Sequence, residues 1–145
     1  MCKNKRGDEL KLMQSGEDYL ETVLVIQNRK GAVRSVDVAA ELGVSKASVS
    51  IAMRHLEEAG YISMDGRRTI RLTEKGRRIA ETVYERHLLF SDLFTALGVN
   101  RETALRDACR MEHAISEESF EALKKFLLEQ EIGMESAKKS KPLVN

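Results

Sequence analysis

The sequence contains few residues that break or cross-link a chain: it has one proline, two cysteines and no tryptophan among 145 residues. Two cysteines cannot build the disulfide framework of a small secreted domain, so we expect a reduced, cytoplasmic protein. No apolar run approaches the roughly 20 residues that span a bilayer. No apolar segment follows the basic N-terminus, so we expect neither a signal peptide nor a membrane partner.

A strong charge of one sign is also absent, since the formal net charge is +1. The whole-chain charge therefore gives no evidence for nucleic acid binding, but its distribution does. Residues 46–78 carry eight basic and four acidic side chains, whereas residues 101–131 carry five basic and eight acidic ones. A local basic excess of this kind is typical of a DNA-binding segment.

The sequence does contain a series of helix-forming segments. Hydrophobic residues make up 42% of the chain and charged residues 32%, which favours helices with one buried and one solvated face. Caps and glycines predict a first helix that starts near residue 15 and ends near residue 27. The same signals predict further helices over residues 36–42, 46–59, 74–97, 101–115 and 117–131. The predicted fold class is therefore mainly α.

Residues 36–59 follow the order helix, glycine-containing turn, helix, with Gly43 and the capping residue Ser45 between the two helices. This spacing indicates a helix-turn-helix. Residues 61–64 and 69–72 alternate like strands around an Asp65-Gly66 turn, which predicts a two-stranded wing. The N-terminal part of the chain is thus predicted to be a winged helix-turn-helix domain.

The second helix of this motif begins with small, hydroxyl-bearing and basic residues that allow close approach to a major groove. Hydroxyl groups and lysine reach phosphates or base edges, and small apolar groups touch thymine methyls. Arginines at the wing tip would contact phosphates beside the groove. The predicted DNA-binding residues are Ser45, Lys46, Ala47, Ser48, Ser50, Arg54, Arg67 and Arg68. The alternative is a helical core whose hairpin serves packing or protein contact.

Cys109, Glu112 and His113 have the i, i+3, i+4 spacing that places side chains on one face of a helix. A thiolate, a carboxylate and an imidazole can all bind a divalent transition metal. Because three ligands from one helix cannot usually complete a coordination shell, further donors are needed from elsewhere. The best ones are the carboxylate pair Asp18 and Glu21, and the lone imidazole His87.

Two other interpretations of this triplet stay open. Arg106 and Arg110 lie one turn from acidic residues, so the triplet could belong to a salt-bridged helix face. Cys109 could instead be a nucleophile with His113 as its base. No oxyanion loop or glycine-rich phosphate cradle is visible, however, and i, i+4 placement rarely directs both groups at a substrate. We therefore expect neither an enzyme nor an organic substrate.

Five segments carry a more specific pattern: EDYLE at 17–21, VAAELGVS at 38–45, LTEKG at 72–76, RH at 86–87 and ACRMEH at 108–113. Over about residues 15–130, they resemble the metal-dependent repressors of the diphtheria toxin repressor family. The sequence lacks the additional C-terminal SH3-like domain of the iron-responsive members. It is therefore similar to the shorter manganese transport regulators.

The resemblance implies metal ligands at six positions. They are Asp18, Glu21, His87, Cys109, Glu112 and His113. Asp18 and Glu21 resemble the manganese-type members, whereas Cys109 resembles the iron-type members. Ser91 and Leu105 stand where the iron type has a carboxylate and a histidine for an ancillary site, so one and two ions per subunit both stay open. Mn²⁺ or Fe²⁺ is the implied metal, and the thiolate also allows Zn²⁺ or Co²⁺.

The implied protein is a homodimeric repressor that senses Mn²⁺ or Fe²⁺, binds a double-stranded DNA operator and controls metal-uptake genes. Its predicted organisation is a flexible arm over 1–14, the winged domain over 15–73 and a connecting helix over 74–97. A metal-binding and helical dimerisation domain over 98–133 and a flexible tail over 134–145 follow. In a two-fold dimer, metal binding would set the spacing of two recognition helices.

Two functional alternatives remain at this stage. A winged-helix regulator activated by a non-metal signal would keep the dimer and the DNA binding but show no metal dependence. A cytosolic metal-binding protein without operator specificity would bind the ion but would not discriminate between an operator and random DNA.

Overall fold

The computed structural model describes residues 6–130, with side chains from residue 15 onward. Its elements are α1 (Arg6–Lys30), α2 (Ser35–Leu42), α3 (Lys46–Glu58), β1 (Ile62–Met64), β2 (Ile70–Leu72), α4 (Glu74–Ala96), α5 (Arg101–Met111) and α6 (Glu117–Glu129). The predicted mainly helical fold class is confirmed. The chain divides into two compact units, residues 1–81 and residues 82–145, so the boundary falls within α4.

Unit 1, residues 1–81, contains the helix-turn-helix. Gly43 ends α2 with φ of 65°, a left-handed conformation that glycine adopts without steric cost. Ser45 then caps α3, because its hydroxyl oxygen accepts the Ser48 backbone N–H at 3.1 Å. Arg34 is the N-cap of α2, which begins at Ser35, and the Asp37 carboxylate accepts the Arg34 N–H at 2.8 Å.

The wing follows α3 as a short antiparallel pair in which Ile62 lies opposite Leu72. Asp65 holds its turn, since one carboxylate oxygen accepts the N–H groups of Arg67 and Thr69 at 2.9 and 3.0 Å. These hydrogen bonds keep the pKa of Asp65 below its usual value. Ile62 and Ile70 are buried on the inner side of the pair, so the wing is attached to the core of unit 1.

The core of unit 1 consists of aliphatic side chains from its three helices and its wing. Its fully or nearly fully buried members are Leu20, Val23, Leu24, Ile26, Val33, Val38, Val49, Met53, Leu56, Ile62 and Ile70. Most recur at spacings of three or four residues along α1 and α3. This periodic burial fixes which side of α3 is left facing solvent.

Helix α4 starts so close to the preceding chain that its first turn requires a glycine. Thr73 accepts the Gly76 N–H at 3.2 Å and donates its hydroxyl to the Gly60 carbonyl at 2.7 Å. A Cβ atom added at Gly76 would lie 2.0 Å from the Tyr61 carbonyl oxygen. Neither the helix nor the backbone at Tyr61 can move cheaply, so the glycine is a packing requirement.

Unit 2, residues 82–145, is described through residue 130 and consists of the rest of α4 with α5 and α6. Its buried core is Leu89, Phe90, Ala108, Phe120 and Leu127, with Leu93, Phe94, Ile115 and Leu123 partly buried around it. The ring of Phe90 lies 6.3 Å from those of both Phe94 and Phe120, measured between centroids. Aromatic packing thus joins α4 to α6. Among the described residues, no helix is both long and apolar enough to cross a membrane.

Two predicted helix boundaries are wrong. Helix α1 begins at Arg6, not near residue 15, because residues 6–14 lack proline and consist largely of good helix formers. Helix α5 ends at Met111, not at residue 115, and residues 112–114 form a turn. The flexible arm predicted over residues 1–14 overlaps the start of α1 at residues 6–14. Its residues 1–5 and the predicted tail over 134–145 lie outside the described residues, and the domain boundaries stay predictions.

We predict opposite effects for alanine at two helical glycines of unit 1. Gly76→Ala should lower the free energy of unfolding by about 1–3 kcal/mol, because its methyl group overlaps the Tyr61 carbonyl. Gly16→Ala is the matched control. Its Cβ would be 3.7 Å from the nearest Leu56 atom, so the variant should gain about 0.5–1 kcal/mol from reduced chain entropy. Urea unfolding measures both, and equal stability of the two variants would contradict the close approach at Gly76.

Candidate metal centre and DNA-binding surface

Glu112 is a carboxylate of unit 2, and only 1% of its surface is exposed. It caps the C-terminus of α5 with helical backbone angles (φ −58°, ψ −29°), and its N–H still bonds the Ala108 carbonyl. Its side chain therefore continues the inner face of α5 although the helix has ended. A buried carboxylate is stable only when neighbouring groups satisfy its oxygens.

Two imidazoles satisfy those oxygens. Nδ1 of His87, on α4, lies 2.8 Å from Oε2 of Glu112. Nε2 of His113, the next residue along the chain, lies 3.2 Å from Oε1. One carboxylate thus joins α4 to the turn that follows α5. The prediction that Glu112 and His113 project from one helical face is corrected here, because His113 belongs to the turn and not to α5.

Cys109 brings a third type of donor to the same place. Its Sγ lies 3.7 Å from Nδ1 of His87, and the residue as a whole is exposed. The ligand atoms of His87, Cys109 and Glu112 all lie within 4.8 Å of one another. An imidazole nitrogen, a sulfur and a buried carboxylate oxygen fit a divalent transition metal, since each can donate a lone pair to one ion.

The protein groups around His87 favour its charged form. Hydrogen bonds to the Cys109 sulfur and to the Glu112 carboxylate raise the pKa of His87 to about 10, against the opposing effect of burial. A proton on this imidazole therefore neutralises part of the charge of the buried carboxylate. A metal ion would have to displace that proton, so proton release should accompany binding.

Arg86 positions the turn after α5, a role that was not predicted from the sequence. Its Nη1 donates to the Glu112 carbonyl at 3.3 Å and to the Ile115 carbonyl at 3.2 Å. Its guanidinium carbon lies 5.5 Å from the centre of the Phe120 ring. Arg86 thus fixes the turn that carries Glu112 and His113. The sequence did offer one signal for this role: Arg86 directly precedes the predicted ligand His87, and two adjacent helical residues can contact the same turn.

Asp18 and Glu21, the remaining predicted ligands, lie in unit 1. They occupy one side of α1, three residues apart, and both are partly buried. The Asp18 backbone carbonyl accepts the Thr22 hydroxyl at 2.7 Å. Their assignment as ligands stays a prediction from the sequence.

The predicted DNA-binding residues all lie on the exposed surface of unit 1. Ser45 is the N-cap of α3, five more are on α3 itself, and Arg67 and Arg68 are at the wing tip. An open recess of about 490 Å³ lies between helix and wing. Its basic and hydroxyl-bearing lining residues are Arg34, Ser35, Lys46, Ser50, Arg54, Arg67 and Arg68. Arg34 was not among the predicted residues, because it lies outside the helix-turn-helix pattern.

Comparison with known proteins places both surfaces in one family. Residues 11–70 match the family model described as iron dependent repressor, N-terminal DNA binding domain. Residues 73–132 match the model described as iron dependent repressor, metal binding and dimerisation domain. The chain belongs to the iron dependent repressor family. It is a metal-dependent transcriptional regulator, and the predicted combination of a DNA-binding and a dimerisation domain is confirmed.

Individual relatives agree with this assignment. The transcriptional regulator MntR of Escherichia coli is 38% identical over 110 residues, which cover 76% of this chain and 71% of that protein. The HTH-type transcriptional regulator MntR of Geobacillus kaustophilus is 33% identical over 102 residues, covering 70% and 72%. A solved manganese-dependent transcriptional repressor in complex with manganese is 28% identical with a TM-score of 0.69. That match covers 77% of this chain and 52% of the solved chain, so this chain spans about half the length of that structure.

We predict that His87 stays protonated well above neutral pH in metal-free protein. Its pKa in the folded state, about 10, exceeds the ordinary value of 6.5. The resulting stabilisation is complete below pH 6.5 and is lost as the pH rises through about 10. The ring carbon resonances of His87, assigned by their loss in His87→Gln, should therefore shift near pH 10 in chelator-treated protein. The stability advantage of the parent over His87→Gln should shrink over the same interval, and a midpoint near 6.5 would refute the prediction.

Proposed function

We propose that the chain is a homodimeric repressor that responds to Mn²⁺ or Fe²⁺ and binds a double-stranded operator. The single observation that carries this proposal is the convergence of the His87, Cys109 and Glu112 ligand atoms within 4.8 Å. It lies in the segment that matches the family's metal-binding and dimerisation domain. The similar solved structure, described as a manganese-dependent transcriptional repressor in complex with manganese, supports the choice of Mn²⁺.

In this proposal, His87, Cys109 and Glu112 hold one ion, and Asp18, Glu21 and His113 supply the remaining ligands for that ion or for a second one. Asp18 and Glu21 are included as ligands because their positions resemble those of the metal ligands in the family. The bound cation would supply positive charge to a set of carboxylates and to the Cys109 sulfur in place of the proton that His87 carries without metal. Glu112, fixed by its hydrogen-bonded turn, would keep its oxygens directed at the site, and the His87 proton would leave for solvent.

The proposed operator contact uses the basic recess of unit 1. Arg67 and Arg68 extend from the wing, and Lys46 and Arg54 extend from α3, around the same open volume. Among the lining residues of the recess, the basic side chains outnumber the acidic Glu57, and clustered cations suit a row of phosphates. Metal-uptake genes are the proposed targets, because a repressor that binds DNA when its metal is abundant limits further uptake.

The homodimer rests on the apolar surface of unit 2. The apolar side chains of α5 and α6 exceed what the core of the unit covers: Ala108, Phe120 and Leu127 are buried, whereas Phe126 and Leu128 are 55% and 47% exposed. Leu105 is also exposed. An apolar surface of this kind on a domain matched as a dimerisation domain supports pairing of two copies through it.

We predict that metal-dependent DNA binding separates this function from its alternatives. A duplex selected from a random library with MnCl₂ present should bind the parent tightly and lose nearly all affinity after chelation. Cys109→Ala should lower metal affinity by roughly tenfold or more while its unfolding free energy changes little, because Cys109 is exposed. With Co²⁺, the parent should show a sulfur-to-metal charge-transfer band that Cys109→Ala lacks.

Cys109→Glu is the matched control, since it keeps an anionic ligand but removes the sulfur. It should retain Mn²⁺-dependent DNA binding and shift selectivity away from Zn²⁺. DNA binding by the parent that is unaffected by chelation would favour a non-metal signal. Metal binding without enrichment of any duplex would favour a metal-binding protein without an operator.

We predict that the wing arginines contribute affinity without sequence preference. Arg67→Ala and Arg68→Ala should each reduce the slope of log affinity against log salt by about 0.9 if each contacts one phosphate. The loss should be similar for selected and random duplexes. Arg29→Ala is the control, because Arg29 is exposed on α1 and pairs with Glu41 at 3.0 Å. Salt slopes that match the control would place the wing away from DNA.

A further inference from the structure

The exposed side of α3 has an apolar line of side chains and polar side chains beside it. Val49, Met53 and Leu56 are buried and define the inner face. At about 100° per residue, Ile51 lies roughly 160° around the helix from Val49 on one side and from Met53 on the other, so it stands nearly opposite the core. Its measured exposure of 50% agrees with that position. Ala47, one turn earlier, shares the same outer line, which we call the crest of α3.

The polar residues in the N-terminal half of α3 lie to the sides of this crest. Lys46, Ser50 and Arg54 occupy the flank that lines the basic recess beside the wing. The hydroxyls of Ser45 and Ser48 lie 2.9 Å apart and form a hydrogen bond with each other. Ser45 donates in that bond and also accepts the Ser48 N–H at 3.1 Å, so its hydroxyl proton and one of its two lone pairs are used within the cap. The flanks are therefore suited to phosphates and to helix capping.

Ile51 places a branched aliphatic side chain at the centre of the crest, where half of its surface is exposed to solvent. A single exposed aliphatic residue is common and has no meaning by itself. Ile51, however, lies in the first half of the second helix of a helix-turn-helix, the part that reaches base edges when such a helix enters a major groove. The feature of a base edge that an aliphatic group recognises there is the C5 methyl of thymine.

We infer that Ile51 is a specificity-determining residue that contacts thymine C5 methyls in each operator half-site. The inference rests on the proposed operator binding and adds to it the chemistry of base recognition. Apolar contact rewards thymine over cytosine, whose corresponding carbon carries no methyl group. Phosphate contacts from the recess supply affinity, and the crest supplies the preference for particular A·T pairs.

The test measures thymine methyls directly. Metal-loaded full-length protein is titrated with the duplex selected from a random library, in which each thymine is replaced in turn by uracil. Removing one contacted methyl should weaken binding of the parent about three- to fivefold at one or two positions per half-site. In Ile51→Ala, uracil and thymine should bind equally at those positions.

Ile51→Val is the matched control, since it keeps the branched carbon and should retain most of the uracil penalty. Circular dichroism and thermal melting should be unchanged in both variants, because Ile51 is exposed. A uracil penalty that is the same in the parent and in Ile51→Ala at every thymine would overturn the inference. Enrichment of no duplex by the metal-loaded parent would overturn the operator binding itself, and the role of Ile51 with it.

Discussion

The burial of the Glu112 carboxylate constrains the rest of unit 2. A charge with 1% exposure must have its oxygens occupied, and here His87 and His113 occupy one each. His87 can do so only if α4 runs past the end of α5, and His113 only if the helix stops at Met111 and turns. Arg86 holds that turn through two backbone carbonyls. The donor atoms of His87, Glu112 and His113 therefore lie close together because these side chains contact one another and Arg86 holds the turn.

The ligand candidates differ in how freely evolution or mutation can change them. Glu112 supports the fold, so a substitution there would leave two imidazoles without the carboxylate that they contact. Cys109 is exposed and contacts the site only through its sulfur, 3.7 Å from His87. The sulfur of Cys109, the softest donor of the set, thus belongs to the residue that contributes least to the packing of the site. In the proposed site, a substitution at Cys109 would alter the metal preference while the buried hydrogen bonds keep the geometry of the site.

Local sequence signals predicted the parts of the fold that depend on local interactions. Gly43 and Ser45 define the turn between α2 and α3, and Asp65 defines the wing, because each acts within a few residues of itself. The end of α5 was not predictable from the sequence, since helical spacing favours continuation through Ile115 and only the contacts of Glu112 and Arg86 stop it. The close approach at Gly76 depends in the same way on Tyr61, fifteen residues earlier.

The candidate sites show the same limit. Spacing selected Cys109 and Glu112, the need for a further donor and the family resemblance added His87, and the structure brings their ligand atoms together. Composition alone selected hydroxyl and basic residues on α3, and it passed over Ile51 because an isoleucine in a helix is normally assigned to the core. Only the burial of Val49 and Met53 shows that Ile51 points outward. A chain with a net charge of +1 gains little from long-range attraction to DNA, so affinity must come from the localised recess. Under that condition, short-range contacts such as a methyl-to-methyl contact at the crest carry a larger share of the discrimination between one duplex and another.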